Sequence, residues 1–229
     1  FQSIIEDDPN GSYATQATHQ IGSLFVQRYQ YKEAVLTCKQ LADTYQKTQT
    51  AAIAEYLIAQ YFHAQGKYKL AIEGYRRFLE DYPTSPYRVS SMYNLIQLYT
   101  VQRQYAEAEA LIRGHLGKNP DDTDMMEKLA DLYREQGKHD KALSLYVTAL
   151  GRSPNDTSLR KKLGELYAES GQRDRAIEEW ARIIEGEPNQ SNRYQQAAAI
   201  YTEHQMYEKA TEAYQQAIRL NPRSAYLYI

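Results

Sequence analysis

Residues 123–156 read TDMMEKLADLYREQGKHDKALSLYVTALGRSPND, and residues 157–190 read TSLRKKLGELYAESGQRDRAIEEWARIIEGEPNQ. Aligned without a gap, the two stretches carry similar residues at equivalent positions over a period of 34 residues. The same frame accounts for six units in all: 15–51, 52–88, 89–122, 123–156, 157–190 and 191–224. The first two units are 37 residues long, and the three extra residues follow the second half of each unit. A sustained period of this length is the signature of a repeat architecture.

Each unit contains two apolar patterns of helical spacing with a short break between them, which predicts two antiparallel helices joined by a tight turn. The predicted first helices are 15–28, 52–65, 89–102, 123–136, 157–170 and 191–204. The predicted second helices are 31–45, 68–82, 105–117, 139–151, 173–185 and 207–219. A lead-in segment, 1–14, precedes the repeat domain 15–229, which ends in a partial seventh repeat, 225–229. The fold class is therefore expected to be all-α.

Four recurring residue types define the frame. An alanine in every second helix indicates a close helix crossing, where a larger side chain would push the backbones apart: Ala34, Ala71, Ala108, Ala142, Ala176 and Ala210. A large ring in every first helix can fill the wedge toward the next unit: Phe25, Phe62, Tyr99, Tyr133, Tyr167 and Tyr201. Glycine is expected to end first helices in the left-handed conformation: Gly66, Gly137 and Gly171. Proline is expected to end second helices: Pro83, Pro120, Pro154, Pro188 and Pro222.

This spacing of small, aromatic, glycine, alanine and proline positions over residues 15–224 resembles the tetratricopeptide repeat family. The resemblance implies a right-handed superhelical solenoid of antiparallel helix pairs, with a concave groove that is lined by the first helices and binds peptides or helices. Residues 15–105, with Tyr82-Pro83-Thr84-Ser85-Pro86-Tyr87 between two helices, are also similar to repeats of bacterial cell-envelope scaffolds, including the outer-membrane barrel-assembly lipoprotein. The expected partner is therefore a protein or peptide.

The resemblance also implies that the second, fifth, ninth, twelfth and thirteenth residues of each unit face the groove. In the second and third units this face is aromatic and rich in amides, and it is the predicted peptide site: Tyr56, Gln60, His63, Tyr93, Asn94, Gln97 and Thr100. In the fourth and fifth units the same face is a secondary, charged groove: Lys128, Asp131, Arg134, Lys161, Lys162 and Glu165. Tyrosine is common among binding hot spots because it brings apolar area at little entropic cost. The alternative, a merely solvated polar face, stays open.

Charge and composition argue against several classes of function. The net charge of −2 lacks the basic excess of a phosphate-binding surface, so no nucleic-acid partner is expected. No apolar run approaches the ~18 residues of a membrane-spanning segment, which favours a soluble protein, cytoplasmic or bacterial periplasmic. The five histidines lack metal-site spacing, and Cys38 replaces a ring at a second-helix position, where it fits a small buried residue. No metal, cofactor or catalytic residue is predicted.

These patterns predict a non-catalytic protein–protein interaction scaffold that binds a peptide or protein segment in its groove. One alternative is a partner-recruiting arm of a larger enzyme. Another is a self-assembling scaffold that associates through an open C-terminal end, where Tyr226, Leu227, Tyr228 and Ile229 would lack a packing neighbour. The third unit is the least regular, with Arg103 in place of the turn glycine, and local repacking is favoured there over a hinge.

Overall fold

The computed structural model describes residues 2–27, 30–185 and 189–222 of the chain. Thirteen α-helices occupy these residues: α1 (Gln2–Asp7), α2 (Ser12–Gln27), α3 (Tyr31–Thr44), α4 (Gln49–Ala64), α5 (Tyr68–Asp81), α6 (Arg88–Val101), α7 (Tyr105–Leu116), α8 (Thr123–Glu135), α9 (His139–Arg152), α10 (Thr157–Glu169), α11 (Arg173–Glu185), α12 (Gln190–Glu203) and α13 (Tyr207–Leu220). The helices pack as sequential pairs, which confirms the predicted all-helical repeat array. Pro188, the predicted partial repeat 225–229 and the side chain of Phe25 lie outside the described residues.

The lead-in segment contains a helix that the periodicity did not predict. On α1, Ile5 is fully buried in a cluster with alanines of α2 and α3. After α1, the backbone carbonyl of Pro9 accepts hydrogen bonds from the amide and the hydroxyl of Thr50, and Oδ1 of Asn10 accepts one from the amide of Gln49. The lead-in therefore supplies partners to the first amides of α4, which a helix cannot satisfy by itself.

The recurring alanines occupy the close crossings that the sequence predicted. Their exposed fraction is 0–4% in all six units. The large residues of the second helices are equally buried, since Tyr75, Tyr146 and Trp180 have no exposed surface. At the equivalent position Cys38 is also buried, and burial raises the pKa of its thiol to about 12. Because the thiolate is the reactive form, Cys38 is a packing residue.

The turn between the paired helices needs a residue in the left-handed region. Gly66, Gly137 and Gly171 have φ of 69°, 69° and 75°, as predicted. Arg103 and Gln205 take the same conformation, with φ of 57° and 59°, although they carry a Cβ atom. The repeat geometry therefore imposes the turn even where the sequence does not favour it.

Polar side chains begin the first helices of the later repeats. Asp122 accepts a hydrogen bond from the amide of Met125, and Asp156 caps α10 in the same way. The side chain of Asn189 accepts from two amides at the start of α12, so this residue of an Asn-x-Ser/Thr sequence serves as a helix cap.

The chain divides into two compact units, residues 1–111 and 112–229. The division falls inside α7, in the repeat that departs most from the sequence pattern. The first unit contains the predicted aromatic and amide face, and the second contains the charged face. Of the helices in the described ranges, none combines the length and the apolar character that a bilayer crossing requires.

Candidate functional site

Tyr56, on α4, lies at the centre of a cluster of rings in the first unit. Its ring stacks on Tyr87 with centroids 4.9 Å apart and an interplanar angle of 27°. The rings of Phe78 and Tyr75, both on α5, lie 5.9 Å and 6.2 Å away. Nε2 of Gln60 donates a hydrogen bond of 2.7 Å to the Tyr56 hydroxyl. Only 6% of Tyr56 is exposed, so this residue of the predicted peptide site is mainly a packing residue in this structure.

Tyr87 covers Tyr56 and was not among the predicted site residues. It is the last residue before α6, and its hydroxyl lies 2.8 Å from Nε2 of His19 on α2. Burial lowers the pKa of His19. His19 and Tyr56 are equivalent residues of adjacent repeats, so Tyr87 spans two first helices. The sequence signal for this contact was the 37-residue length of the second unit, because Tyr87 is one of its extra residues just before α6.

An open cavity of about 390 Å³ lies beside this cluster. It brings together three of the predicted site residues, Gln60 and His63 from α4 and Asn94 from α6. The lining is completed by Ala64 and three tyrosines that the groove pattern did not indicate: Tyr31, Tyr61 and Tyr75. No carboxylate, lysine or arginine is among the lining residues that the structure describes. The described part of the wall is therefore polar and uncharged, with aromatic rings and amides.

Tyr93, Gln97 and Thr100, the other predicted residues, are not part of the cavity wall. Gln97 is exposed and Tyr93 is half-buried on α6. The Thr100 hydroxyl donates to the backbone carbonyl of Ile96, one turn earlier, at 2.9 Å. The structure thus brings the ninth and twelfth residues of the second repeat together with Asn94 of the third. Tyr93, Gln97 and Thr100 lie outside that group.

The charged face of the second unit is a network of ion pairs between α8 and α10. Nζ of Lys162 lies 2.5 Å from Glu127 and 2.7 Å from Asp131. Asp131 also accepts a hydrogen bond from the hydroxyl of the buried Tyr146. Burial lowers the pKa of Lys162, but the hydrogen bonds and charges of Asp131 and Glu127 outweigh it and raise that pKa overall.

Arg134, on α8, continues this network. Its guanidinium contacts Glu169 and lies 3.1 Å from Glu165, and hydrogen bonds to Glu169 contribute most to raising the pKa of Arg134. Lys161 lies 3.9 Å from Glu165 and 3.7 Å from Glu203. Lys128 is half-buried and stands outside these pairs. Five of the six predicted charged residues therefore already have counter-charges within the unit.

A second group of ion pairs, around one buried carboxylate, lies elsewhere in the second unit. Glu179, 8% exposed, is 2.8 Å from Arg160 and 2.6 Å from Arg182. Both arginines contact the same carboxylate, so Glu179 is fully paired and the three groups together keep one net positive charge. Among the described residues, no three histidine, cysteine, aspartate or glutamate side chains form a group that could hold a metal ion.

The helix pairs and their recurring residues define a class of helical repeat protein. Sequence profiles described as tetratricopeptide repeat match residues 20–86, 56–123, 133–201 and 191–224. The chain belongs to the tetratricopeptide repeat family. Proteins of this family mediate protein–protein interactions. No curated protein sequence matches the chain.

Solved structures support the same fold. A tetratricopeptide repeat protein from Parabacteroides merdae superposes with a TM-score of 0.60 at 17% identity, covering 99% of this chain and 86% of that one. PilF of Pseudomonas aeruginosa gives 0.57 at 18% identity, with 94% and 96% covered. MamA of Desulfovibrio magneticus RS-1 gives 0.58 at 16% identity, with 77% and 96% covered. At these identities the likeness concerns the fold alone.

Proposed function

We propose that this chain is a non-catalytic scaffold that binds a peptide or protein segment on the α4 and α6 face of its first unit. The observation that carries the proposal is the cavity in which Gln60, His63 and Asn94 converge from two adjacent first helices. Side-chain amides can both donate to and accept from a peptide backbone. Concave sites with a few convergent polar groups are where ligands usually bind.

The distribution of charge favours ligand binding on the α4 and α6 face over binding on the α8 and α10 face. A ligand on α8 and α10 would have to compete with the ion pairs of Lys162 and Arg134, and it would gain little from charges that are already compensated. The described residues that line the cavity of the first unit include no charged side chain. Binding there should depend weakly on salt, because ionic screening acts on charges.

Self-association is a second candidate role with a structural observation behind it. A cleft of about 430 Å³ on the last helix pair is lined by Tyr194, Tyr201, Ala197 and Ala213. Since Tyr194 is 38% exposed, a second copy of the chain could bury it there, which supports self-association. Sedimentation velocity over a hundredfold concentration range tests this, and a Tyr194→Asp variant should abolish any dimer. A recruiting arm of a larger enzyme would use the same peptide cavity.

The peptide proposal is tested with a dodecapeptide selected by phage display against the whole chain. Its affinity is measured by calorimetry for the wild type, for Asn94→Ala, and for Gln196→Ala, which changes an exposed amide at the equivalent position of α12. We expect Asn94→Ala to weaken binding about tenfold, or ~1.4 kcal/mol, and Gln196→Ala to leave it unchanged. Failure to select any peptide, or equal affinities of all three proteins, would contradict the proposal.

A further inference from the structure

Two arginines line a cavity of about 460 Å³ in the second unit, beside the turn that leads into α10. Arg160, on α10, and Arg182, on α11, share its wall with other residues that the structure describes: Pro154, Asn155, Thr157, Ile183 and Gln196. None of these described residues carries a carboxylate. Since 54% of the Arg182 side chain is exposed, a ligand in the cavity can reach its guanidinium. The described wall is therefore cationic and accessible to solvent.

The buried carboxylate of Glu179 holds the two arginines together. Its Oε2 lies 2.8 Å from Nη1 of Arg160, and its Oε1 lies 2.6 Å from Nη1 of Arg182. One negative charge offsets only one of the two positive charges, so the group keeps a net charge of +1. A guanidinium also has more N–H donors than the bonds to Glu179 and to the carbonyl of Pro154 use. Charge and donors are thus left for a further anion.

The equivalent cleft of the second repeat lacks this excess of positive charge. Glu55 and Arg77 occupy the positions of Arg160 and Arg182, and they pair with each other. Arg77 also lies 3.5 Å from Asp81. The described wall of that cleft, which has a volume of about 500 Å³, contains three carboxylates and two cations. The cationic wall is therefore a property of the fifth repeat and not of the repeat fold.

An anion with a single charge fits this wall best. A phosphate monoester carries about −1.5 to −2 at neutral pH, which exceeds the net charge of the arginine group. A carboxylate carries one charge, and its two oxygens match the planar fork of a guanidinium. The exposed side chains of Asn155 and Thr157 can donate to it as well. The carboxylate of Asp156, between them in the chain, already accepts hydrogen bonds from the amides of Ser158 and Leu159.

We propose that Arg160 and Arg182 form a subsite for a carboxylate of a partner protein. The carboxylate belongs either to an acidic side chain or to a carboxyl terminus, and the two sources are distinguished by titration. The subsite lies in the second unit and does not depend on the peptide site of the first. It adds a charge-dependent contact to the scaffold, so binding there weakens as salt is added.

Titrations followed by NMR test the subsite, with the side-chain Nε–H signals of Arg160 and Arg182 as the readout. The probes are a blocked pentapeptide with one glutamate, its glutamine counterpart, a glycine–serine pentapeptide with a free carboxyl terminus, and inorganic phosphate. We expect both signals to shift with the glutamate peptide, the free-terminus peptide or both, and the responding peptide identifies the source. An equal response to the glutamine peptide, no response to either carboxylate, or tighter binding of phosphate would overturn the subsite.

The deciding variant is Arg182→Gln, and its matched control is Arg77→Gln, which removes the same charge at the equivalent position, where carboxylates already neutralise it. Affinity for the responding peptide, followed through the Arg160 signal, should fall about tenfold in Arg182→Gln and stay unchanged in Arg77→Gln. Denaturation midpoints show whether each variant is folded. If Arg182→Gln is unfolded, Arg182→Lys keeps the charge beside Glu179, removes the planar fork and should weaken binding about threefold. Equal affinities of the wild type and the folded Arg182 variant would contradict the proposal.

Discussion

The backbone of Gly164 lies directly against the indole of Trp180. A Cβ atom at residue 164 would overlap the indole nitrogen and come within 2.7 Å of Cδ1. In the preceding repeat the equivalent residues are Ala130 and Tyr146, both buried. The wider ring of the fifth repeat therefore requires the smaller residue opposite it, and the two positions have to change together.

This relationship predicts strong coupling in a double-mutant cycle. Gly164→Ala alone should cost about 1–3 kcal/mol of unfolding free energy through overpacking. The double variant Gly164→Ala, Trp180→Tyr recreates the pair of the fourth repeat and should recover much of that loss. Denaturant titration measures all four proteins. Strictly additive effects of the two changes would show that the contact does not govern packing here.

The left-handed turns predict where glycine stabilises the chain. Arg103→Gly and Gln205→Gly should each raise the free energy of unfolding by up to about 1 kcal/mol, because these residues hold a positive φ with a Cβ atom. Gly137→Ala, at the equivalent turn, should lower it by a similar amount. The check is the shift in the urea midpoint, and a loss of stability in both glycine variants would contradict the turn geometry.

The ion pairs of α8 and α10 predict a stabilising role for Lys162. Lys162→Ala leaves the carboxylates of Glu127 and Asp131 without their shared cation and should cost about 1–2 kcal/mol, less at high salt. Lys128→Ala is the control on the same face and should stay within about 0.5 kcal/mol of the wild type. Equal losses in the two variants, measured by chemical denaturation at low and high salt, would rule out the network as the cause.

Buried tyrosines predict a loss of stability in alkali. Burial raises the pKa of Tyr61, Tyr75 and Tyr146 above the ordinary value of 10.0. Above that pH the unfolded chain releases these protons while the folded chain keeps them, so the stability that is fully present below pH 10 falls as the pH rises. Thermal melts by circular dichroism between pH 8 and 11 measure the slope. It should become shallower in Tyr75→Phe, and an unchanged slope would argue against burial of this hydroxyl.

The repeat frame was predictable from the sequence because one geometric demand recurs in six copies. An alanine that recurs at one position, as Ala142 and Ala176 do, is expected where helices cross too closely for a larger side chain. All six recurring alanines are buried in the structure. The lead-in helix α1 was not predictable in this way, because Ile5 occurs once and belongs to no period. Its burial depends on contacts that only the folded chain supplies.

The candidate site was predictable only in part, for a related reason. Repeat position placed Gln60, His63 and Asn94 on one face, and these residues line one cavity. Their role in peptide binding stays a prediction. It could not show that Tyr87 would cover Tyr56, because that contact arises from the extra residues between repeats. Nor could it show that the charged residues around Lys162 would form ion pairs with one another, since ion pairing depends on the side-chain geometry between adjacent repeats.

The proposed peptide site is the face of α4 and α6. Amide chemical-shift mapping of the whole chain with the selected dodecapeptide is the decisive measurement, because it reports every backbone site at once. Shifts should concentrate in residues 56–64 and 90–97 and leave 127–134 and 161–169 unchanged. Shifts centred on α8 and α10, or spread evenly over both units, would rule out the α4 and α6 face as the peptide site.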